Sequence, residues 1–272
     1  MLAALVSHEI YSAYVKLPPQ DPRPADSILT NDDLYPYFKD CIGAIDGTHI
    51  PAFIPEDIRA PYRNCKGFIS QNVLAACSFN FKFVYILSGW EGSTSDSAVY
   101  QDARATDFQV PDGKYYLVDA GYPNTDSLLS PYRGVRYHLK EWRAVRNNWC
   151  GWSIFNDLWI NVCRPQNHKE LFNLRHAQLR NVIEWIFGIL KKRFKVLLVA
   201  QEYPFANQTQ IVSAVTFLHN FIVIHNPGGI SVGEVETEGN TNDSVGRWSR
   251  HQSIIPQNER ARAAERRDRI AQ

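Results

Sequence analysis

Cys41-Ile42-Gly43-Ala44-Ile45-Asp46-Gly47-Thr48-His49-Ile50 is an apolar run that closes on a carboxylate and a glycine. A second stretch, Tyr115-Tyr116-Leu117-Val118-Asp119-Ala120-Gly121, repeats the arrangement. Short runs of branched and aromatic residues bounded by glycine read as buried β-strands. A carboxylate closing such a strand is held rigidly at the rim of a sheet, and two of them from two strands can share a divalent cation. Taken singly, an aspartate before glycine is also an ordinary turn residue. The pair therefore has to be read together with its surroundings.

Outward from these runs, strands are predicted over residues 42–45 with 50–54, 71–79 and 83–87, and a short one over 135–139. The Asn80-Phe81-Lys82 connection suits a hairpin. Residues 95–105 read as a helix with Ser95 or Asp96 near its N-cap. The clearest helix covers 171–195. With Glu184 as origin, Ala177, Arg180, Asn181, Gly188 and Lys191 fall within about 60° of it by helix periodicity. Leu179, Val182, Ile183, Ile186 and Leu190 cover much of the remaining circumference, so Glu184 lies on a polar stripe of a helix whose other side is core. Residues 209–225 form a further, almost wholly apolar helix.

The ends are different in kind. Residues 2–15 have helical spacing and stop at Leu17-Pro18-Pro19, ahead of a Pro- and Asp-rich linker over 20–33. Beyond Pro227 the composition turns to Gly, Glu, Thr, Asn and Ser, the mark of a disordered linker. Residues 258–270 alternate charges densely enough for an exposed helix.

A chain of 272 residues with 44% hydrophobic content is long enough to bury a full core. Lys+Arg 29 against Asp+Glu 28 gives a net charge of +1, so total charge does not signal nucleic-acid binding. Its distribution does more: residues 168–195 hold seven Lys or Arg against only Glu170 and Glu184. Five scattered cysteines without a CxxC pair read as reduced thiols, with neither a disulfide framework nor a zinc site. The first residues lack a basic leader and are not read as a secretory signal. No window is apolar enough to span a membrane.

Phosphodiester cleavage needs an activated water or 3′-hydroxyl and a stabilised leaving oxygen. Two Mg²⁺ ions roughly 3.5–4 Å apart supply both, held by carboxylates from different elements. Asp46, Asp119 and Glu184 have suitable chemistry, although a glutamate on a polar helix face is usually just solvated.

Four ordered blocks carry a more specific signal. They are Cys41-Ile-Gly-Ala-Ile-Asp46-Gly-Thr-His49, Gly92-Ser-Thr-Ser-Asp96-Ser-Ala-Val99, Tyr116-Leu-Val-Asp119-Ala-Gly-Tyr122-Pro123, and Leu174-Arg-His176-Ala-Gln-Leu-Arg180-Asn-Val-Ile-Glu184 with Phe187-Gly188 and Leu190-Lys-Lys-Arg193-Phe194 behind it. Together they resemble the DDE endonuclease domain of PIF/Harbinger transposases and their domesticated nuclease relatives, over about residues 35–226. The resemblance implies an α/β, ribonuclease H-like mixed sheet flanked by helices. It also implies Asp46, Asp119 and Glu184 as catalytic metal ligands for Mg²⁺ or Mn²⁺. Asp96 is either a further ligand or a helix N-cap. Arg180, Lys191, Lys192, Arg193, His49 and His176 are the candidate DNA contacts. For the two histidines a hydrogen-bonded structural role stands beside that one, and for Lys191-Lys192-Arg193 a nuclear signal or a solvated face does.

The chain departs from the family pattern twice. Only residues 1–34 precede the first block, where the family carries a helix-turn-helix region, so target recognition is expected to need a partner. The flanks of residues 143–163 lie much closer together in the family, which marks this tryptophan-rich stretch as an insertion, either a retained intron or a small ordered lobe. Trp185 also stands where the family more often has a basic residue. The expected organisation is thus an N-terminal helix and linker (1–34), the endonuclease domain (35–226), and a linker with a charged helix (227–272).

The resemblance implies a metal-dependent DNA endonuclease, acting by hydrolysis with residual strand transfer, in the nucleus with a cytoplasmic pool. A separate Myb-like DNA-binding protein is the expected partner, self-association is compatible, and no membrane is involved. The competing reading is a catalytically decayed remnant that only binds DNA or protein. A metal phosphatase also fits strand-end carboxylates but not the basic helix around Glu184.

Overall fold

In the computed structural model, residues 2–137, 165–226 and 255–272 are described. The elements are α1 (Leu2–Leu5), α2 (His8–Tyr14), α3 (Asp26–Leu29), β1 (Cys41–Pro51), β2 (Ser70–Cys77), β3 (Phe83–Glu91), α4 (Asp96–Thr106), β4 (Tyr115–Leu117), β5 (Leu128–Leu129), α5 (His168–Arg193), α6 (Phe205–His225) and α7 (Gln257–Ala271). The proposed insertion at 143–163 and the linker after Pro227 fall outside the described residues.

The strands form one sheet in the order β3-β2-β1-β4-β5. β1 runs antiparallel to β2, and β2 to β3, whereas β1, β4 and β5 are parallel. This is the mixed α/β sheet expected. The chain leaves β1 toward β2 and β3 on one side and returns on the other as β4, so β1 and β4 flank the point where strand order reverses. In open α/β sheets such a point opens a crevice beyond the carboxyl ends of the parallel strands.

Side chains alternate across the sheet. Ala44, Val73, Ala75, Cys77, Tyr115 and Leu117 face α5 and α6, where Phe172, Leu179, Ile183, Ile186, Leu190 and Val212 complete the core. Ile45, Leu74, Ala76, Tyr116, Val118 and Leu128 face α4, against Val99, Tyr100 and Ala103, with Phe108 and Tyr122 closing the layer. Covering on both faces explains why all of β2 is buried, its apolar half (residues 73–77) and its polar start Ser70-Gln71-Asn72 alike. Ile183 and Ile186, both fully buried, contribute roughly 2 kcal/mol each.

Several expectations are refined. The 2–15 segment breaks at Val6-Ser7 into α1 and α2. β5, two residues long, was not anticipated, and residues 135–137 are not strand. The runs at 42–45 and 50–54 merge into the single β1, paired to β2 straight through Asp46↔Ala75 and Gly47↔Leu74. Asp46 therefore sits within a strand rather than at its end. The parallel pairing with β4 stops at Ala44↔Leu117, which leaves that edge of β1 open from Asp46 onward.

The charged α7 is docked, where an exposed helix was expected. Arg266 donates to the carbonyls of Thr125, Asp126 and Leu128 at 2.7, 2.6 and 3.3 Å, and its guanidinium lies 4.4 Å from the Tyr115 ring centre. Arg267 lies 4.3 Å from the ring centre of Tyr132, whose hydroxyl donates to Asp268. Three buried amides tie helices to neighbouring backbone in the same spirit. Asn173 brackets Tyr132, Asn220 brackets Phe83, and Gln208 brackets Phe53.

Candidate active site

Alternation along β1 turns Asp46 toward α5 and Gly47 toward α4. On the α5 side Arg180 meets Asp46: its Nη2 donates to Asp46 Oδ2 at 2.8 Å, while Nη1 donates to Glu184 Oε1 at 2.7 Å. Arg180 and Glu184 are one helical turn apart, so the two stack on one face of α5. α5 is fixed in place at its start. Asn167 caps it by accepting from the Glu170 amide, and Glu170 accepts in turn from the Gln166 amide. The helix is 26 residues long, about 39 Å at 1.5 Å per residue, and its core face locks it to the sheet.

Asp96, the first residue of α4, reaches β1 from the other face. It makes no capping bond; its Oδ1 instead accepts from Asn72 Nδ2 at 2.7 Å. A Cβ on Gly47 would lie 2.1 Å from that same oxygen, so only glycine at 47 lets Asp96 approach the strand this closely. Asp119 follows β4 and closes an Asx turn, accepting from the Gly121 amide at 2.9 Å. Tyr122, two residues after the Gly121 neighbour Ala120, is buried, and its hydroxyl has no hydrogen-bond partner among the described residues. It lies within the electrostatic reach of Asp96, Asp46 and Asp119.

Two carboxylates thus hold one guanidinium, with Asp96 and Asp119 in electrostatic reach of it. Burial pushes Asp46 up to about 8; Arg180 opposes this, while Asp119, Asp96 and Glu184 reinforce it. Burial likewise raises Asp96 to about 6, against the Asn72 hydrogen bond. Burial works against the charge of Arg180, but Asp46, the Tyr137 hydroxyl, Asp119 and Glu184 outweigh it and hold the guanidinium well above its ordinary value. A guanidinium keeps its proton in any case. Arg133, whose Nε donates to the Ala120 carbonyl at 2.9 Å, adds a second guanidinium within electrostatic reach of Asp119, so four carboxylates stand against two cations.

The remaining predicted residues separate. Lys191 donates to Thr48 Oγ1 at 2.7 Å and to the His49 carbonyl at 3.2 Å, pinning α5 to the outer half of β1. His49 pairs through Nδ1 with Ser70 Oγ at 3.2 Å, and burial with Lys191 and Lys66 lowers it to about 4. Lys192 is exposed and Arg193 half-buried at the end of α5. His176 is not at the surface: it is fully buried, and its Nε2 donates to the Leu129 carbonyl at 2.9 Å. Burial lowers it to about 3, so it is a neutral core residue with no path to a phosphate in this conformation. Arg180 too is directed at carboxylates and not outward. Trp185 stacks on Phe81 in the β2–β3 turn. Reading the sequence passed over Asn72, Tyr122 and Gly47 as site residues. Gly47 directly follows the candidate ligand, which was the available signal.

Hard oxygen donors, an excess of negative charge and an orphaned buried hydroxyl fit a divalent cation. Among the described residues, however, no three Asp, Glu, His or Cys side chains stand in metal-holding arrangement. Arg180 occupies the space between two of the candidates.

A ribonuclease H-like sheet with a carboxylate on its central strand and a glutamate on the covering helix defines a domain of the nuclease class. A family described as DDE superfamily endonuclease matches residues 45–220, and the chain belongs to it. The protein named "Protein ALP1-like" from Arabidopsis thaliana is 23% identical over 221 residues, covering 74% of this chain and 48% of that protein. The proteins named "Putative nuclease HARBI1" from Rattus norvegicus and Homo sapiens are each 25% identical, over 190 and 188 residues, covering 68% of this chain and 46% of those proteins. The chain thus spans about half the length of the curated relatives it matches. No solved structure matches it. The Harbinger-type resemblance read from the four blocks stands with these matches. Among the described residues no helix is long and apolar enough to cross a membrane.

Proposed function

We propose that the chain is a metal-dependent DNA endonuclease of Harbinger transposase type. One observation carries the reading: Asp46 and Glu184, from β1 and α5, share the buried Arg180, with Asp96 and Asp119 in electrostatic reach of it. That arrangement has more acid than a structural ion pair needs.

Asp46, Asp119 and Glu184 would hold divalent cations, with Asp96 as a further oxygen donor. Such ions supply an activated water and stabilise the leaving oxygen of a phosphodiester. The chain's own residues provide the frame. β1 and α5 fix Asp46 and Glu184, the Asx turn fixes Asp119, and the buried Tyr122 hydroxyl lies within electrostatic reach of Asp96, Asp46 and Asp119. Lys191, held over Thr48 and His49, and Lys192 and Arg193 at the helix end offer charge to a DNA backbone. Hydrolysis adds water across the P–O bond, leaving a phosphate on one end and a hydroxyl on the other. Strand transfer would replace the water by a DNA 3′-hydroxyl.

Nuclear action beside a Myb-like DNA-binding partner belongs to the same proposal, with Lys191-Lys192-Arg193 as the basic segment, and self-association is compatible with it. The test is cleavage of duplex DNA with Mg²⁺ or Mn²⁺, in the wild type and in Asp119→Ala. Loss in the variant with an unchanged circular dichroism spectrum supports the reading, and persistent cleavage sinks it. Arg180 between two candidate ligands favours a second reading, a remnant that binds DNA without cutting it. Salt-sensitive DNA binding by a wild type that cuts with neither metal would decide for that one.

A further inference from the structure

We propose that Arg180 is the internal cation of the resting site and its gate: a divalent ion gains Asp46 and Glu184 only when the guanidinium withdraws. The inference rests on the metal-nuclease reading and adds to it a residue that competes with the metal.

The geometry is that of a two-pronged clasp. One prong holds Asp46 Oδ2 at 2.8 Å and the other holds Glu184 Oε1 at 2.7 Å, while Asp46 Oδ1 accepts from the Gly47 amide at 3.0 Å, so both Asp46 oxygens and one Glu184 oxygen are already committed. The clasp cannot be opened by deprotonation, since a guanidinium keeps its charge throughout the accessible pH range. Only displacement opens it. Its side chain is 9% exposed, with Asp46 at 15%, so the bond to Asp46 is shielded from water and is not a loose surface pair.

The clasp is nevertheless incomplete. Arg180 Nε is buried without a hydrogen-bond partner among the described residues, which leaves part of the fork's bonding capacity unused. Glu184 is 38% exposed, so its end of the clasp opens toward solvent. A DNA phosphate, with paired oxygens matching the guanidinium fork, is an acceptor to which Arg180 can transfer as the carboxylates pass to the metal. Arg180 also shares α5 with Glu184 and Lys191, so it needs only a side-chain rotation and no movement of the helix. Without the fork, Asp46 and Glu184 would lose the one cation that bonds both of them, with Asp96 and Asp119 beside Asp46, which explains why the metal-free fold retains it.

The measurement is Mn²⁺ affinity without DNA, by the loss of free-ion electron paramagnetic resonance signal, alongside the thermal midpoint of the metal-free protein. Arg180→Gln is expected to bind Mn²⁺ at least about tenfold more tightly than wild type, the ordinary scale of coupling between competing ligands. Its metal-free midpoint should fall, and added Mn²⁺ should raise it by more than in wild type. Arg180→Lys, whose single ammonium cannot clasp both carboxylates, should lie between and serves if the Gln variant does not fold. A merely structural arginine predicts the reverse, with lower stability and weaker metal binding together. Equal or weaker Mn²⁺ binding in both variants, beside a wild type that binds, overturns the gate and leaves the metal reading standing. Absence of Mn²⁺ binding in wild type and both variants overturns the metal reading itself, and the gate with it.

Discussion

Two arginines lie against the same sheet and are held in opposite ways. Arg266, on α7, gives its donors to three neutral carbonyls and its face to the Tyr115 ring. Arg180, on α5, is divided between two carboxylates with two more beside them. At the β5 edge the charge is spread over uncharged acceptors that no other ion claims, so the arginine acts as an adhesive. At β1 one guanidinium bonds two carboxylates with further acid beside them, so it stands where a stronger cation would be favoured. The same side chain is permanent in one place and replaceable in the other, and the difference lies wholly in what surrounds it.

The comparison can be broken most directly at the carboxylates. Asp119→Ala should reduce Mg²⁺-dependent cleavage by at least about a thousandfold, because a lost ligand removes transition-state stabilisation of several kcal/mol. Its urea midpoint should stay near wild type. Arg266→Ala should do the opposite. It leaves three carbonyls and a ring uncovered, costing roughly 2–4 kcal/mol in urea unfolding, and below the midpoint the rate per folded molecule should persist. Equal sensitivity of rate and stability in both variants would erase the distinction between adhesive and counter-ion.

Gly47→Ala sharpens the site further. Its Cβ would press on the Asp96 carboxylate, so a cost of about 1–3 kcal/mol is expected together with weaker metal binding. Unchanged metal affinity would remove Asp96 from the cluster.

The pH profile of metal-free stability separates site from core. Asp46 titrates near 8 in the fold and in the ordinary carboxylate range when unfolded. Its raised value favours folding fully at low pH, and that contribution is lost as pH rises from about 4 through 8. His176 has the reverse sign. Lowered to about 3 from 6.5, it favours folding above its unfolded value and loses that contribution as pH falls through its folded one. Asp46→Asn should therefore flatten the alkaline fall in the unfolding midpoint and leave the acid limb intact. The smallest effect is expected at Lys192→Ala, where loss of one exposed charge should lower the salt dependence of DNA binding by about one unit of slope. No change there would place the DNA path elsewhere.

Much of the fold was legible because it rests on periodicity. β2 announced itself by the apolar run of residues 73–77, and α5 by core residues on one side and Arg180, Glu184 and Lys191 on the other. Asp46 was legible as a candidate but not as a mid-strand residue. Asp-Gly read alone signals a turn, and only pairing to Ala75 and Leu74 of β2 carries the strand through it. β5 is too short to show a period. The docking of α7 was hidden because its arginines bond to tertiary carbonyls, and in sequence they look like a solvated face. At the site, the four-residue spacing of Arg180 and Glu184 was visible. That Asp46 joins them, and that His176 turns into the core, depends on which side of α5 meets the sheet.

One consequence lies in the length of α5. Asn173, which clasps Tyr132, His176, which holds Leu129, Arg180, Glu184 and Lys191, which spans Thr48 and His49, all project from this one helix. Insertion or deletion of a single residue would turn everything beyond it by about 100° and uncouple one half of that series from the other. Substitutions can be absorbed one position at a time, but the spacing cannot drift. Descendants of this chain that keep the chemistry should vary freely in the identity of their exposed α5 residues while keeping the distance from Asn173 to Lys191 unchanged.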